Sequence, residues 1–214
     1  MISIIYFGHS AFRIRGKRAT IVTDPYGESV FGRVMTKVSA DVVTVSHSHD
    51  DHSEVSRVMG EPFVIDQPGE YEIKGVFILG VSSFHDAEKG AKRGKNNIYA
   101  IETDGVKICH LGDLGHKLSD KQQEEINGVD ILMVPVGGVY TLDASKAVEV
   151  VNQVEPKVVI PMHYQLPDSK IKLGTLEKFL NEIGEKKVLK TNVFKAERDK
   201  FGEERRVVVF NARS

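Results

Sequence analysis

Positions 47–52 read His-Ser-His-Asp-Asp-His, one residue after the apolar-leaning run DVVTV. Imidazoles and carboxylates crowded so closely are costly in a core and unnecessary on a surface, so their juxtaposition asks for a compensating positive charge. A metal ion is the natural candidate. His47 and His49 are two apart, so at a strand's end their rings point the same way and can chelate one ion, while Asp51 and His52 in the following turn can face a second. A loop alone does not complete a site, because each metal needs at least three protein ligands. Three more residues are placed to supply them: His85 follows VSSF, Asp113 follows ICHLG and His163 follows VVIPM. Each sits just beyond a predicted strand, where loops over a sheet edge can converge on one pocket. None of these donors is Cys, so ligand softness permits zinc, manganese or iron.

The elements that must hold these residues are legible in the periodicity. The first half of the chain is mostly strands: ISIIYF, AFRIR, ATIVT, DVVTVS, PFVID, YEIKGVFILGVSS, NIYAIET and VKICHLG, many ending at Gly or at a turn such as Asp104-Gly105. Such strands can form two sheets. Helical signals enter later. Ser119 and Gln122 stand at capping-box spacing before QEEIN, and Ala144, Ala147, Val148 and Val151 share a face. Leu173, Leu176, Phe179, Leu180 and Ile183 recur at three- and four-residue steps and stop near Gly184, a stripe suited to core packing. VDILMVP and PKVVIP read as buried strands between helices, and RRVVVF closes the chain likewise. No Pro/Gly/Ser linker, low-complexity segment or fixed-period repeat divides the chain, so residues 1–214 are expected to form one domain.

Bulk properties agree. A length of 214 residues suits one domain with a substantial core. A formal net charge of −1 and an isoelectric point near 6.7 give no global attraction to nucleic acid or to an anionic membrane. No apolar run approaches the roughly 18 to 20 residues of a membrane span, and MISIIYFGHSAF lacks the basic start and long apolar stretch of a signal peptide. The single Cys109 cannot form an intrachain disulfide, which suits a reducing compartment. The expectation is a soluble, cytoplasmic protein with no membrane partner; nothing in the sequence speaks to oligomeric state.

Taken in order, HSHDDH, FHD, HLGD and PMHY resemble the metallo-β-lactamase-fold hydrolase superfamily, and the resemblance covers most of the chain. FGHSAFRI followed by IVTDPY is similar to a compact branch that includes ascorbate-6-phosphate lactonase-like enzymes and many uncharacterised Zn-dependent hydrolases. The resemblance implies an α+β fold, a four-layer αββα sandwich with two sheets face to face and the metal pair at one edge. Carried over by position, it implies that His47, His49 and His85 bind one metal, that Asp51, His52 and His163 bind the other, and that Asp113 bridges both. Two divalent ions follow, zinc first and manganese or iron after it. The flavodiiron oxygen-reducing relatives typically have Glu where this chain has His49, and they carry a flavin domain for which it has no room.

Two bridged cations lower the pKa of a coordinated water to about 7 and polarise the carbonyl or phosphoryl oxygen under attack, so hydrolysis is the expected reaction. Opening a lactone or cleaving another ester of a small anionic substrate comes first, and phosphodiester hydrolysis of nucleotides or RNA second. A non-catalytic metal-binding protein is the third reading, disfavoured because all seven ligand positions are present. Asp113, as the bridge, and Asp51, as a proton shuttle, carry the catalytic roles.

Asp24, in TDP, resembles the family's early aspartate that holds the histidine loop from behind, as a metal-bound imidazole requires on its other ring nitrogen; an ordinary Asp-Pro turn is the alternative. His9, in FGHS, either lines the site behind the ligands or is structural. Cys109 and His110 lie inside a predicted strand and read as packing, and His116 either reaches the pocket or enters a helix. Tyr140 and Tyr164 either lean over the cleft as substrate-binding residues or fill the sandwich. Residues 89–97, KGAKRGKNN, form the one local basic cluster. Its plain reading is a solvated loop; its sharper reading is that Arg93 or Lys95 folds over the metals to bind a phosphate or carboxylate of the substrate. Lys89, Lys92, Arg93 and Lys95 are too few for a nucleic-acid track.

Overall fold

The computed structural model describes residues 1–27, 34–167, 169–185 and 187–211. Strands are numbered here in chain order. One sheet runs β15 (Phe194–Ala196), β1 (Ile2–Gly8), β2 (Ala11–Arg15), β3 (Thr20–Thr23), β5 (Val42–Thr44), β7 (Phe63–Ile65). The other runs β14 (Val188–Thr191), β16 (Arg206–Phe210), β13 (Val158–Met162), β12 (Ile131–Pro135), β11 (Val106–His110), β10 (Lys95–Thr103), β9 (Val76–Phe84), β8 (Gly69–Ile73). A short pair, β4 (Val38–Ser39) with β6 (Val58–Met59), completes the strands among the described residues. Among the described residues three α-helices accompany them: α1 (Asp120–Glu125), α2 (Ala144–Val154) and α3 (Leu176–Ile183). This is an α+β sandwich of mixed sheets with few helices, as the resemblance implies.

The sheets are joined by side chains that cross between them. Phe12 on β2 meets Phe210 on β16 at a ring separation of 6.2 Å and His110 on β11 at 6.1 Å. The Tyr99 hydroxyl on β10 lies 2.9 Å from the carbonyl oxygen of Val45 and 3.1 Å from that of Ile65. His110 Nε2 lies 2.8 Å from Ser10 O, while its Nδ1 accepts from the Gly112 amide. Thus His110 packs and ties the sheets together. β12 and β13 are buried along their whole length, which explains their unbroken apolar sequence: a parallel strand covered on both faces has no solvent side to alternate with.

Strand direction decides where the chemistry sits. β1, β3, β5 and β7 all run one way. β9, β11, β12 and β13 likewise share a direction in the second sheet. His9 follows β1, Asp24 follows β3 and the loop 45–54 follows β5; His85, Asp113 and His163 lie past the ends of β9, β11 and β13. Every element therefore delivers its polar residues from a carboxyl end, the side on which open α/β sheets place their ligands.

Local chemistry accounts for most boundaries. Ser119 and Gln122 form the expected capping box at the start of α1. Gly184 ends α3 in the left-handed conformation at φ 62°. The stretch read as one long strand, residues 71–83, is instead the hairpin β8–β9, with Lys74 and Gly75 both at positive φ (52° and 73°) in a two-residue turn. α3 begins at Leu176 under the Thr175 cap, so Leu173 precedes the helix and is buried in the preceding loop. On α2, Val150 is fully buried and Val148 only half-buried. No described helix is long and apolar enough to cross a membrane.

Candidate metal centre

The loop 45–54 and the three downstream residues do converge. Asp113 Oδ2 lies 3.1 Å from His163 Nε2, 3.2 Å from His85 Nε2 and 3.4 Å from His52 Nε2. A single carboxylate oxygen thus faces imidazoles from three separate loops. His47, His49 and His85 offer ring nitrogens within 4.8 Å of one another, as do His47, His52 and the Asp113 carboxylate. Asp51 Oδ2 stands 3.8 Å from His52 Nε2. His47 Nε2 and Asp113 Oδ1 are buried with no hydrogen-bond partner among the described residues, a costly arrangement unless a cation is their partner. Nitrogen and oxygen donors at these separations, ranging from the exposed His49 to the fully buried His52, fit divalent metal ions.

Electrostatics point the same way. Burial, and then the neighbouring His52, push His47 down to about 3, so its imidazole is neutral and its lone pair available. Burial opposes a charge on Asp113, yet His163 and His52 hold it well below the usual carboxylate range. Burial also opposes a charge on His52, yet Asp113 and then Asp24 raise it well above an ordinary histidine. The centre is built to be compensated by positive charge.

Supporting residues meet Nδ1 of His52 and Nδ1 of His47. Asp24, fully buried and at φ 40°, takes Ser46 N at 2.8 Å on Oδ1, and on Oδ2 the Ser46 hydroxyl at 2.6 Å and His52 Nδ1 at 2.8 Å. Ser46 Oγ in turn lies 2.9 Å from His47 Nδ1. One carboxylate therefore orients two imidazoles, one directly and one through a hydroxyl. Asn96 is a further support that sequence reasoning missed. Its Oδ1 accepts the Asp113 amide at 2.8 Å, and its Nδ2 donates to Ser83 Oγ and Leu111 O. Gly112 in HLGD makes this possible: at φ 55°, a Cβ there would lie 2.4 Å from Asn96 Oδ1 and 2.5 Å from Ser46 Cβ. His116 accepts the Phe84 amide on Nε2 at 3.1 Å and so steadies the strand end before His85.

A cavity of about 670 Å³ opens beside His47 and His49, walled by Val55, Val64, Pro68 and Phe84 and bordered by Arg93 and Lys95. Residues 86–93 wrap around Asp86, whose carboxylate accepts the amides of Glu88, Gly90, Lys92 and Arg93. The basic stretch 89–97 is thus an ordered turn, exposed or half-buried as far as Lys95, where it runs into β10. Lys92 is committed to Glu88. The Arg93 guanidinium lies over the Tyr140 ring at 4.6 Å from its centroid, so Tyr140 meets the site through Arg93. Tyr164 is buried against Tyr6 and does not border the cavity. Burial, and then Glu177, push its hydroxyl up to about 12. His9 comes closer than a supporting role needs: its Nε2 lies 3.0 Å from both Asp51 Oδ2 and His52 Nε2.

Comparison with known proteins identifies the family. The family model described as the beta-lactamase superfamily domain matches residues 3–163. A metal-dependent hydrolase of Thermoplasma volcanium is 30% identical over 197 residues, covering 78% of this chain and 85% of its own. One from Staphylothermus marinus is 31% identical, covering 77% and 84%. Among solved structures, a Thermotoga maritima protein assigned to the Zn-dependent hydrolases of the metallo-β-lactamase superfamily superposes with a TM-score of 0.83 at 39% identity, over 100% of both chains. A metallo hydrolase of Ignicoccus hospitalis superposes at 0.65 with 22% identity, over 86% of this chain and 90% of its own, a likeness of fold.

Proposed function

The chain belongs to the metallo-β-lactamase superfamily and is a metal-dependent hydrolase, and from that premise we propose that it uses two divalent ions, zinc first, to open a lactone or cleave another ester of a small anionic substrate. The observation that carries this reading is Asp113 Oδ2 within 3.4 Å of imidazoles from both halves of the ligand set. In this reading His47, His49 and His85 hold one ion, Asp51, His52 and His163 the other, and Asp113 both. The assignment of the Thermotoga maritima relative to Zn-dependent hydrolases supports zinc over manganese or iron. When bound, such ions supply a water acidified to a pKa of about 7 and a Lewis acid for the oxygen under attack.

The chain's own groups do the rest. Asp24 fixes His52 by its Nδ1 and, through Ser46, fixes His47, so neither ring can turn. Asp51 is the carboxylate placed to move a proton: its side chain is 15% exposed, against 2% for Asp113 and 0% for Asp24. Val55, Val64, Pro68 and Phe84 give the cavity an apolar wall for the body of a small substrate, and Arg93 and Lys95 give it two cations for a carboxylate or phosphate. Stacking on Tyr140 limits the swing of Arg93, so less rotamer entropy is lost when it engages an anion. The same cations suit a phosphodiester, the second reading, while the Lys92–Glu88 pair leaves too few free charges for a nucleic-acid track.

The test is a hydrolysis panel of lactones, carboxylic esters, phosphoesters and phosphodiesters, each as an anionic and a neutral analogue where chemistry allows, run on wild type and Arg93→Ala. A charge-assisted hydrogen bond is worth about 1.5–3 kcal/mol, so kcat/KM for the anionic substrate should fall roughly 10- to 100-fold, carried mainly by KM, with the neutral analogue within about twofold. Equal losses on both would remove Arg93 from substrate binding. Turnover of phosphodiesters alone would replace the ester reading.

A further inference from the structure

The sequence leaves His9 either behind the ligands or purely structural. Resting on the two-ion reading, we propose instead that His9 Nε2 is a direct ligand of the second ion, alongside Asp51, His52 and His163. Residues that orient a ligand from behind engage the ring nitrogen that faces away from the metal, as Asp24 does at His52 Nδ1 and Ser46 at His47 Nδ1. His9 does not. Its Nε2 meets His52 at Nε2, the nitrogen that also faces Asp113 Oδ2 at 3.4 Å, and the same His9 atom meets Asp51 Oδ2. Three donor atoms from three different side chains therefore crowd one point.

All but one of their spacings are those of right-angled to tetrahedral coordination; Asp51 Oδ2 and His52 Nε2, 3.8 Å apart, subtend a wider angle. Donors about 2.1 Å from a common ion lie about 3.0 Å apart at right angles and about 3.4 Å apart in a tetrahedron. His9 Nε2 is 3.0 Å from both Asp51 Oδ2 and His52 Nε2. Asp113 Oδ2 is 3.1 Å from His163 Nε2 and 3.4 Å from His52 Nε2. His9, His52 and His163 all offer nitrogens within 4.8 Å of one another, and all are buried.

The backbone is arranged to put the His9 ring there. His9 sits at φ 55°, a left-handed conformation costly for a non-glycine residue and held only where surrounding contacts impose it. Those contacts are at its carbonyl, which accepts from the Tyr6 hydroxyl at 2.8 Å and from the His163 amide at 2.8 Å. The second links His9 to a residue of the proposed set on the other sheet, and the two rings lie 4.3 Å apart. A purely structural histidine at the end of β1 would not need its position locked to that of His163.

Competition titration with a zinc chelator on wild type, His9→Ala and His9→Gln tests the assignment without reference to turnover. Wild type should take up two equivalents. His9→Ala should weaken one of them by more than the roughly 10- to 100-fold typical of losing an outer partner and leave the other within about threefold. His9→Gln can still donate a side-chain N–H to Asp51 but is a poor donor to zinc, so it should behave like His9→Ala. Restoration of both affinities by Gln, or retention of both by Ala, would overturn the assignment while leaving the two-ion reading intact. A wild type that binds only one equivalent would overturn that reading itself. If His9→Ala does not fold, cadmium-loaded wild type decides, because a scalar NMR correlation from a bound cadmium to the His9 ring protons requires the bond, and its absence denies it.

Discussion

Asp113→Asn should cut kcat/KM by about a thousandfold while costing far less in stability. The carboxylate oxygen that sits between His85, His52 and His163 is, in the two-ion reading, the one negative group shared by two dications. Asparagine keeps the shape and the backbone bond to Asn96 Oδ1, but removes the charge that offsets their mutual repulsion. Its amide oxygen is a weak donor to one ion and cannot hold a second. One metal should therefore be lost or much weakened, with partial occupancy retained at His47, His49 and His85. Losing a cation that stabilises transition-state charge costs several kcal/mol, and about 4 kcal/mol is three decades in rate. The sandwich core is untouched, so stability at saturating metal should fall by no more than about 1–3 kcal/mol. Metal content after dialysis, turnover and thermal midpoint on one sample check this. Two tightly held metals with near-normal turnover would mean that Asp113 is not the bridge.

Asp24→Ala should be the most destabilising single change at the centre. Three groups converge on that carboxylate: Ser46 N, Ser46 Oγ and His52 Nδ1, all buried. Truncation leaves them unpaired, and removing one partner of a buried charged pair typically costs about 3–5 kcal/mol. Two imidazoles lose their orientation at once, so metal affinity should drop a further 10- to 100-fold, roughly the effect of removing an outer partner. The sign of the pH dependence follows. Burial opposes the charge on Asp24, yet His110 and then His52 hold its pKa below 3.8. Its stabilisation is therefore present above that ordinary value and fades as pH falls through the depressed one. Chemical denaturation in chelator at neutral pH isolates the folding cost, and metal titration gives the second effect. A loss under about 1 kcal/mol with unchanged metal affinity would make Asp24 an ordinary turn residue.

What could be read in the chain and what could not divides on physical grounds. The His47–His52 loop, His85, Asp113 and His163 were legible because their chemistry lies in residue type and each follows an apolar run with strand character. Asp24 was legible through its Asp-Pro setting and the need of a bound imidazole for a partner. Asn96 was not, because an asparagine inside a strand gains meaning only when the fold brings the Asp113 amide to it across seventeen positions. The placement of His9 beside His52 depends in the same way on two loops 43 positions apart meeting over one edge. Among the strands, β4, β6, β14 and β15 escaped notice, the first two being only two residues long. β14 is a largely exposed edge strand with no alternation to betray it, and β15 is three residues long. The hairpin β8–β9 was hidden because Lys74-Gly75 interrupts an apolar pattern that otherwise runs on. The ordered turn around Asp86 is held by backbone amides, which composition does not reveal.

The measurement that bears most directly on the account is metal content against hydrolysis in the same preparation. Protein reconstituted with excess divalent metal and dialysed should hold close to two ions per chain by elemental analysis. It should hydrolyse at least one ester or lactone of the panel, lose that activity completely when a strong chelator strips the metal, and regain it on readdition. Hydrolysis that persists after the metal is gone, or a folded, reconstituted protein that holds no ion at His47 and His49, would contradict the account.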